Sequence, residues 1–334
     1  MRRFLLTVFL LASLAVLAAG GWALWWVYQP LRLSAPVVDL SIEAGTLPRG
    51  VAQAVKDAGV DVNTDLLYYW FRFSGQARQI KAGSYELETG DTPHRLLAKL
   101  ARGEETLRAV TLVEGWNFRQ VRAALAKEDV LKPDTKGLAD EAVMALLGRA
   151  GQHPEGRFFP DTYTYAKGSS DVAVLRRALR AMDRRLAEAW AQRAPDAAVK
   201  TPDEALILAS IIEKETGRAS DRTMIAAVFS NRLRVGMPLQ TDPTVIYGLG
   251  ASFDGNLRKK DLQADTPWNT YTRPGLPPTP IAMPGKPSLL AAVQPAAGKA
   301  LYFVARGDGT SQFSASLDEH NRAVNKYQRG QSTQ

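Results

Sequence analysis

The 334-residue chain has no cysteine. That removes disulfides, thiol catalysis, cysteine-ligated zinc and a lipid-modified cysteine anchor. Histidine is nearly as scarce: His94, His153 and His320 lie far apart, with no HExxH-type spacing. A metal site is not expected, no cofactor is implied, and a Ser-His-Asp triad has no nucleophile elbow to support it. Acids are outnumbered, 34 against 42 lysines and arginines, giving a formal net charge of +8. Such a balance favours nucleic acid, anionic lipid or an acidic wall polymer as partner. RNP, zinc-finger and helix-turn-helix signatures are missing, which argues against nucleic acid. The length suits two or three small domains.

One uncharged run is long, Phe4–Tyr28, and it follows Arg2 and Arg3. At about 1.5 Å per residue it outreaches a bilayer core of about 30 Å. Trp22, Trp25, Trp26 and Tyr28 cluster at its far end, as interfacial aromatics do. The arginines keep residues 1–3 in the cytoplasm, residues 4–28 form a single anchor, and the chain after Pro30 lies outside. A cleaved signal peptide would use Ala18-Ala19-Gly20, but the apolar run continues past that point and a signal core is shorter.

Residues 30–36 read as a linker with a proline at each end. A weak repeat of strand, glycine turn and helix follows, in Val38–Gly59, Gly83–Glu104 and Ala109–Val130. Each copy alternates apolar residues, turns at Gly45, Gly90 or Gly115, and then spaces apolar residues as a helix does. Such βα units resemble LysM-like modules, which bind N-acetylated wall sugars; a scaffold without sugar contact is the plainer reading. Leu66–Phe73, LLYYWFRF, is expected as a packed helix with Tyr68, Tyr69 and Trp70 in the core. The aromatic loop Glu155–Tyr165, broken by Gly156 and Pro160, offers Glu155, Asp161 and Tyr163 as sugar contacts, or else fills core. Residues 171–192 read as a basic-faced helix with Asp171 in its first turn.

The most informative stretch is Leu206–Glu215, LILASIIEKE. Thr201 suits a cap, Pro202 the first helical position, and Asp203 and Glu204 the helix dipole. The helix is apolar nearly all round, so it is expected to be buried. Glu213 and Glu215 then end it on apolar surroundings, where desolvation raises a carboxyl pKa and readies it as a general acid. Spacing does not choose between them, and a surface acid–base cluster around Lys214 is the competing reading. A second helix is expected from Ser220 as cap to about Val235, a turn at Thr241–Pro243, a stiff segment at Gly275–Ile281, a closing βα piece over residues 301–324, and a polar tail after Lys326.

With these segments in view, the chain resembles the endolytic murein transglycosylase family (MltG, or YceG-like). The matching residues are Glu155-Gly156 through Pro160-Asp161-Thr162-Tyr163, Leu208 through Thr216, Asn231-Arg232-Leu233, Gly236 through Gly248, Asn269-Thr270-Tyr271, Gly275 through Pro278 and Glu319-His320-Asn321. The resemblance covers the whole chain and is densest over residues 206–281. It implies an α+β fold class: a single transmembrane helix, a LysM-like βα domain over 37–108, a mixed α+β lytic transglycosylase catalytic domain over 109–327, and a tail over 328–334. It also implies an inner-membrane, periplasm-facing enzyme that cuts nascent peptidoglycan between N-acetylmuramic acid and N-acetylglucosamine. Glu213 matches the family's catalytic acid, which donates a proton and then recovers one from the muramic 6-hydroxyl, leaving a 1,6-anhydro end. Gln240, Thr241, Asp242, Asn269 and Tyr271 are the expected sugar-holding residues, with Glu155, Asp161 and Tyr163. Peptidoglycan glycan strands are the implied partner, and peptidoglycan synthases are candidates. Trp268, Thr279 and Met283 depart from the family's expected tyrosine, glycine and asparagine.

Two other functions fit the residues less fully. A hydrolysing muramidase would need a second carboxylate, with Asp242 or Asp161 as candidates. A non-enzymatic wall-binding division scaffold would need only the repeats and the anchor.

Overall fold

The computed structural model describes residues 2–43, 45–104 and 106–329. Met1 of the expected cytoplasmic tail and residues 330–334 of the expected polar tail lie outside the described residues. The chain divides into two compact units. One holds the residues up to Arg108 together with Thr164–Gly168; the other holds Ala109–Tyr163 and the chain from Ser169 onward.

The first unit opens with helix α1 (Arg2–Val27), of which Thr7–Val27 is long and apolar enough to cross a membrane. Then come β1 (Arg32–Leu33), β2 (Val37–Ile42), α2 (Pro48–Asp57), β3 (Val60–Asp61), α3 (Thr64–Phe73), β4 (Gly83–Glu88) and α4 (Pro93–Arg102). β2 pairs antiparallel with β4, and β1 with β3. The first two repeat copies are therefore real local structures, turning at Gly45 (φ 84°) and Gly90 (φ 102°). Val38, Leu40 and Ile42 on one face of β2 pack on Val51 and Val55 of α2 and on Leu96, Leu97 and Leu100 of α4. Asp91 is buried and closes the turn before α4, accepting from Lys99 Nζ at 2.7 Å and from the Glu88 N–H at 3.0 Å. The carboxylate and ammonium enter the interior as a pair, which limits the desolvation cost.

Two expectations need correction here. Residues 30–36 are not a free linker: Leu31 is buried, its N–H donates to the Asp91 carbonyl at 2.7 Å, and Arg32–Leu33 is a strand. Nor does LLYYWFRF bury all its aromatics. Leu67 and Phe71, four apart, take the core side of α3, as one helical face must. Tyr68 and Trp70 pack at the edge of that core, whereas Tyr69 and Phe73 are exposed and stacked on each other with centroids 6.1 Å apart.

β5 (Leu107–Thr111) pairs with β6 (Thr162–Ala166), and the boundary between the units cuts across both strands. The second unit continues with α5 (Phe118–Leu125), α6 (Asp140–Leu146), α7 (Asp171–Ala191), α8 (Pro202–Glu215), α9 (Ala219–Arg234), α10 (Asp242–Leu249), α11 (Lys259–Gln263), α12 (Lys286–Val293), the antiparallel hairpin β7 (Tyr302–Ala305) and β8 (Ser311–Ser314), and α13 (Leu317–Val324). A π-type turn, Asn325–Arg329, extends α13 into what reads as tail in the sequence. The third repeat copy is also present, as β5, a turn at Gly115 (φ 76°) and α5.

α8 is the axis of the second unit, wrapped by α7, α9 and α12. Thr201 Oγ1 accepts the Glu204 N–H at 3.1 Å, and Pro202 needs no partner for a nitrogen without hydrogen. Leu206, Leu208, Ile211 and Ile212 are fully buried, each contributing about 2 kcal/mol of transfer free energy. α9 starts two residues earlier than expected, with Arg218 at the cap position, and Ser220 turns instead to Asp221. Asp171 is buried rather than merely placed in the first turn of α7: its carboxylate accepts from the Thr135 hydroxyl at 2.6 Å and ties down the loop before α6.

Gly156 tests how tightly this unit is packed. Its φ is 77°, and an added Cβ would lie 2.5 Å from Pro280 Cβ. Gly156→Ala is expected to cost about 2–3 kcal/mol in urea unfolding, from the left-handed backbone plus overpacking. Gly151→Ala, with φ 79° and open space for the Cβ, should cost only about 1 kcal/mol.

Candidate active site

The last turn of α8 emerges from the core carrying two glutamates that point to different neighbours. Two residues apart on a helix is about 200° of rotation, so one buried rod presents a carboxyl on each side. Glu213 accepts the Gly285 N–H at 2.9 Å. Glu215 accepts the Thr241 hydroxyl at 2.7 Å. Lys214, between them, is exposed and donates to the Gly115 carbonyl at 3.3 Å.

The register of these contacts is set one turn earlier. Ser210, the lone polar residue in the apolar run, accepts the Ile281 N–H at 3.0 Å and donates to the Ile207 carbonyl at 2.7 Å. It thereby docks the Pro-rich segment across α8 and delivers Gly285 to Glu213. The same segment is fastened to the loop after β5: Met283 N–H donates to the Trp116 carbonyl at 2.7 Å, and Gly115 N–H to the Met283 carbonyl at 2.9 Å.

On the Glu215 side, Thr241, Asp242 and Tyr271 come together. Tyr271 donates its hydroxyl to Asp242 at 2.6 Å, and Thr270 Oγ1 accepts the Thr241 N–H at 3.1 Å. Burial, with Asp242 adding to it, raises the Glu215 carboxyl above its ordinary range, against the lowering bond from Thr241. Tyr271 is likewise raised, by burial and then by Asp242. Gln240 carries φ 48°, the one positive φ outside glycine among the described residues. Its N–H donates to the Thr270 carbonyl, and its side chain is exposed. Arg232, buried, donates to the Pro238 and Leu239 carbonyls and clamps the strained approach to Gln240. Asn231 binds the Gly298 and Ala300 carbonyls, so the Asn-Arg pair is a structural clamp.

A third group lines a cavity of about 530 Å³ that includes Gly115, Phe118, Glu155, Lys214, Tyr247 and Trp268. Glu155 is 3% exposed and accepts from the Phe118 N–H at 3.1 Å and the Tyr247 hydroxyl at 3.1 Å. Burial pushes its carboxyl up to about 7, against those lowering hydrogen bonds. His153 accepts the Glu155 N–H, and burial lowers its pKa. Trp268 Nε1 donates to Thr279 Oγ1 at 2.9 Å, joining two of the positions expected to differ from the family. Met283 is fully buried and acts through its main chain.

The structure thus sorts the expected sugar-holding residues. Gln240, Asp242 and Tyr271 sit beside Glu215 with exposed or half-exposed side chains. Tyr163 does not line a site: it is buried, and its hydroxyl donates to the Phe159 carbonyl at 2.7 Å. Asn269 is fully buried, donating to the Leu262 and Ala264 carbonyls and accepting the Tyr271 N–H. Thr241 is buried as well and acts through Glu215. Asp161 is exposed and caps its own strand by accepting the Thr162 N–H at 2.8 Å. Glu155 faces the cavity but spends its carboxylate on the start of α5.

One residue of this site escaped sequence reasoning. Glu114 adjoins Gly115 in the third repeat turn, and its carboxyl lies against Gly285: a Cβ there would fall 1.9 Å from Glu114 Oε1. Burial raises its carboxyl, and the charge of Glu213 raises it further, with Arg222 opposing. No sequence signal marked it: an acid beside the turn glycine of the third copy reads as an ordinary turn residue. Among the described residues no cluster of three or more metal-ligating side chains occurs.

The family described as "YceG-like family" matches residues 40–326. An endolytic murein transglycosylase of Bacillus subtilis is 32% identical over 88% of this chain and 86% of its own. One from Streptococcus pneumoniae is 26% identical over 94% of this chain and 63% of its own. A crystal structure of a YceG-like protein from Listeria monocytogenes is 31% identical, with a TM-score of 0.56 over 86% of this chain and 98% of that one.

The buried Glu155 gives a pH signature. Its folded-state pKa of about 7 lies above the ordinary 4.5, so its contribution to stability is present below pH 4.5 and is lost as pH rises through 7. The stability of the native protein relative to Glu155→Gln should fall by about 3 kcal/mol between pH 4 and pH 8 in denaturant titrations.

Proposed function

Because the chain belongs to the YceG-like family, we infer that it is an endolytic murein transglycosylase, a lyase that cuts peptidoglycan glycan strands internally. The observation that carries the assignment of roles is the end of α8. There Glu213 leaves a buried helix beside the main chain of Gly285, inside the range matched by the family. Glu213 is the reacting carboxyl in this proposal. It protonates the glycosidic oxygen between N-acetylmuramic acid and N-acetylglucosamine as the bond to C1 breaks. As carboxylate it then takes the proton of the muramic 6-hydroxyl, whose oxygen bonds to C1. The product is a 1,6-anhydro end, and no water is consumed.

Supporting roles follow from the contacts. Gln240, Asp242 and Tyr271 hold the sugar, with Glu215 orienting Thr241 beneath them. The strained backbone at Gln240 fits a residue fixed for a ligand rather than for packing. Glu155 shapes the adjoining cavity without touching the reacting bond. The first unit is proposed as a LysM-like glycan-binding domain, supported by its β2-α2-α3-β4 order with antiparallel outer strands. α1 is proposed as the single anchor in the inner membrane, with the amino terminus cytoplasmic and both units periplasmic, supported by its length and by the flanking arginines. Peptidoglycan synthases are proposed neighbours, since uncut nascent strands occur beside polymerases.

A hydrolytic muramidase would recruit Asp161 or Asp242. Asp161 is spent on its own strand, and Asp242 is bonded to Tyr271 on the Glu215 side.

Mass spectrometry of un-crosslinked glycan strands separates these readings. The native chain should release anhydro ends, with no reducing ends from water. Glu213→Gln should lower the rate by at least about a hundredfold, as loss of a general acid does. Glu215→Gln should lose much less. Anhydro product that persists in Glu213→Gln but vanishes in Glu215→Gln would overturn the assignment.

A further inference from the structure

One side of α3 continues from the end of α1. Val27 is buried, and Trp26 packs on the core of the first unit. Tyr28, the last aromatic of the apolar run, lies against His94 at the start of α4, with ring centroids 5.1 Å apart. His94 in turn faces Trp70 of α3 at 6.2 Å, and Trp70 Nε1 donates to the Pro93 carbonyl at 3.1 Å. A chain of ring contacts therefore runs from the membrane-length helix on to α3. That helix buries Leu67 and Phe71. At about 100° per residue, Trp70, Phe73 and Tyr69 follow one another around one side of the buried stripe, and Tyr68 lies on the other. The Tyr68 side is covered: Arg49 of α2 sits over its ring at 4.9 Å and pairs with Asp65 at 3.1 Å. The Trp70 side runs outward into open aromatic surface, where Phe73 is 80% exposed and Tyr69 50%.

We propose that Tyr69 and Phe73 form a membrane-contacting face of the first unit, seated in the headgroup–acyl boundary of the bilayer that α1 enters. This rests on the reading of α1 as the anchor. Aromatic side chains are favoured at that boundary, and an interfacial helix settles its apolar face about 5–10 Å into it. The ring contacts from Tyr28 through His94 to Trp70 make the exposed face continuous with the end of the anchor. Arg72, exposed beside Phe73, supplies a cation for anionic headgroups. Because α1 already holds the unit at the bilayer, the face acts at high effective concentration and needs no affinity of its own to recruit the protein. Its effect is to fix the unit at a second point, so that the unit does not swing about the end of α1. A glycan is the other candidate occupant for exposed aromatics. Sugars lie on free ring faces and need polar partners; here the two rings stack on each other, 14° apart in plane, and Phe73 carries no hydrogen-bonding group. Lipid requires neither.

The chain has no cysteine, so one introduced thiol carries one fluorescent label. The full chain is placed in nanodiscs of phosphatidylethanolamine and phosphatidylglycerol that include lipids bearing a nitroxide high on the acyl chain. A bimane label at Phe73→Cys should lose most of its emission, whereas one at Gln53→Cys, exposed on α2, should keep it. Leu14→Cys, in the middle of α1, reports the anchor separately. A quenched Leu14 label with an unquenched Phe73 label overturns the proposal and leaves the anchor; an unquenched Leu14 label overturns both. Because a label can itself draw position 73 into lipid, a second arm keeps every side chain native. Photoactivated diazirine lipids in the same nanodiscs should leave adducts on the peptide that carries Tyr69 and Phe73, and Tyr69→Glu combined with Phe73→Glu should abolish them. Both side chains are exposed, so the double variant removes no core contact. Adducts confined to α1 overturn the proposal. So does a double variant that loses binding to isolated glycan strands when the native peptide takes up no lipid, which would assign the face to sugar.

Discussion

A single buried hydroxyl fixes how the second unit meets its chemistry. Ser210 is the only polar side chain in the apolar centre of α8, and its oxygen receives the Ile281 N–H. Without it, a buried backbone donor would be unpaired, at a cost of about 1–3 kcal/mol. More to the point, apolar packing alone leaves a helix free to slide or rotate by small amounts against an extended segment. The hydrogen bond removes that freedom, and four residues further along the crossing segment Gly285 reaches Glu213. The placement of Glu213 against Gly285 is thus set by a polar contact inside the core, not by the loops around it.

Around that contact the acids are distributed by environment. Glu155 is sealed in with two donors, Glu215 is half covered and tied to a threonine, and Glu114 and Glu213 stand at the open edge. The same residue type serves as a helix cap, a strut and, in the proposed mechanism, a reacting group, because burial and partners differ within one unit. Arg232 belongs to this arrangement as well. A buried guanidinium that satisfies three backbone carbonyls can hold a strained neighbour such as Gln240 in place.

Local rules explain what was legible in the sequence. The Thr201-Pro202 start of α8, the glycine turns of the three repeats and the apolar face of each following helix depend on residues within a few positions of one another. Glu213 became distinguishable from Glu215 only through a resemblance that extends beyond the helix itself. What periodicity could not reveal was the direction of polar side chains. Asn269 and Tyr163 have the right chemistry for sugar but spend it on backbone carbonyls, because the segments carrying them are folded back on themselves. Glu114 was hidden for the opposite reason. It reads as an ordinary turn acid until tertiary structure sets it beside a glycine that lies 171 residues away in the chain.

The way α1 joins the first unit has a consequence of its own. Only Tyr28–Leu31 separate the helix from β1, and the helix end is already packed, with Val27 buried and Trp26 against the core. Four residues span at most about 14 Å even when fully stretched. An anchor built this way is a short rigid stem rather than a leash. With α1 as the proposed anchor, such a stem would hold the first unit close to the bilayer surface. Where such a chain works would then be decided by height above the membrane as much as by affinity.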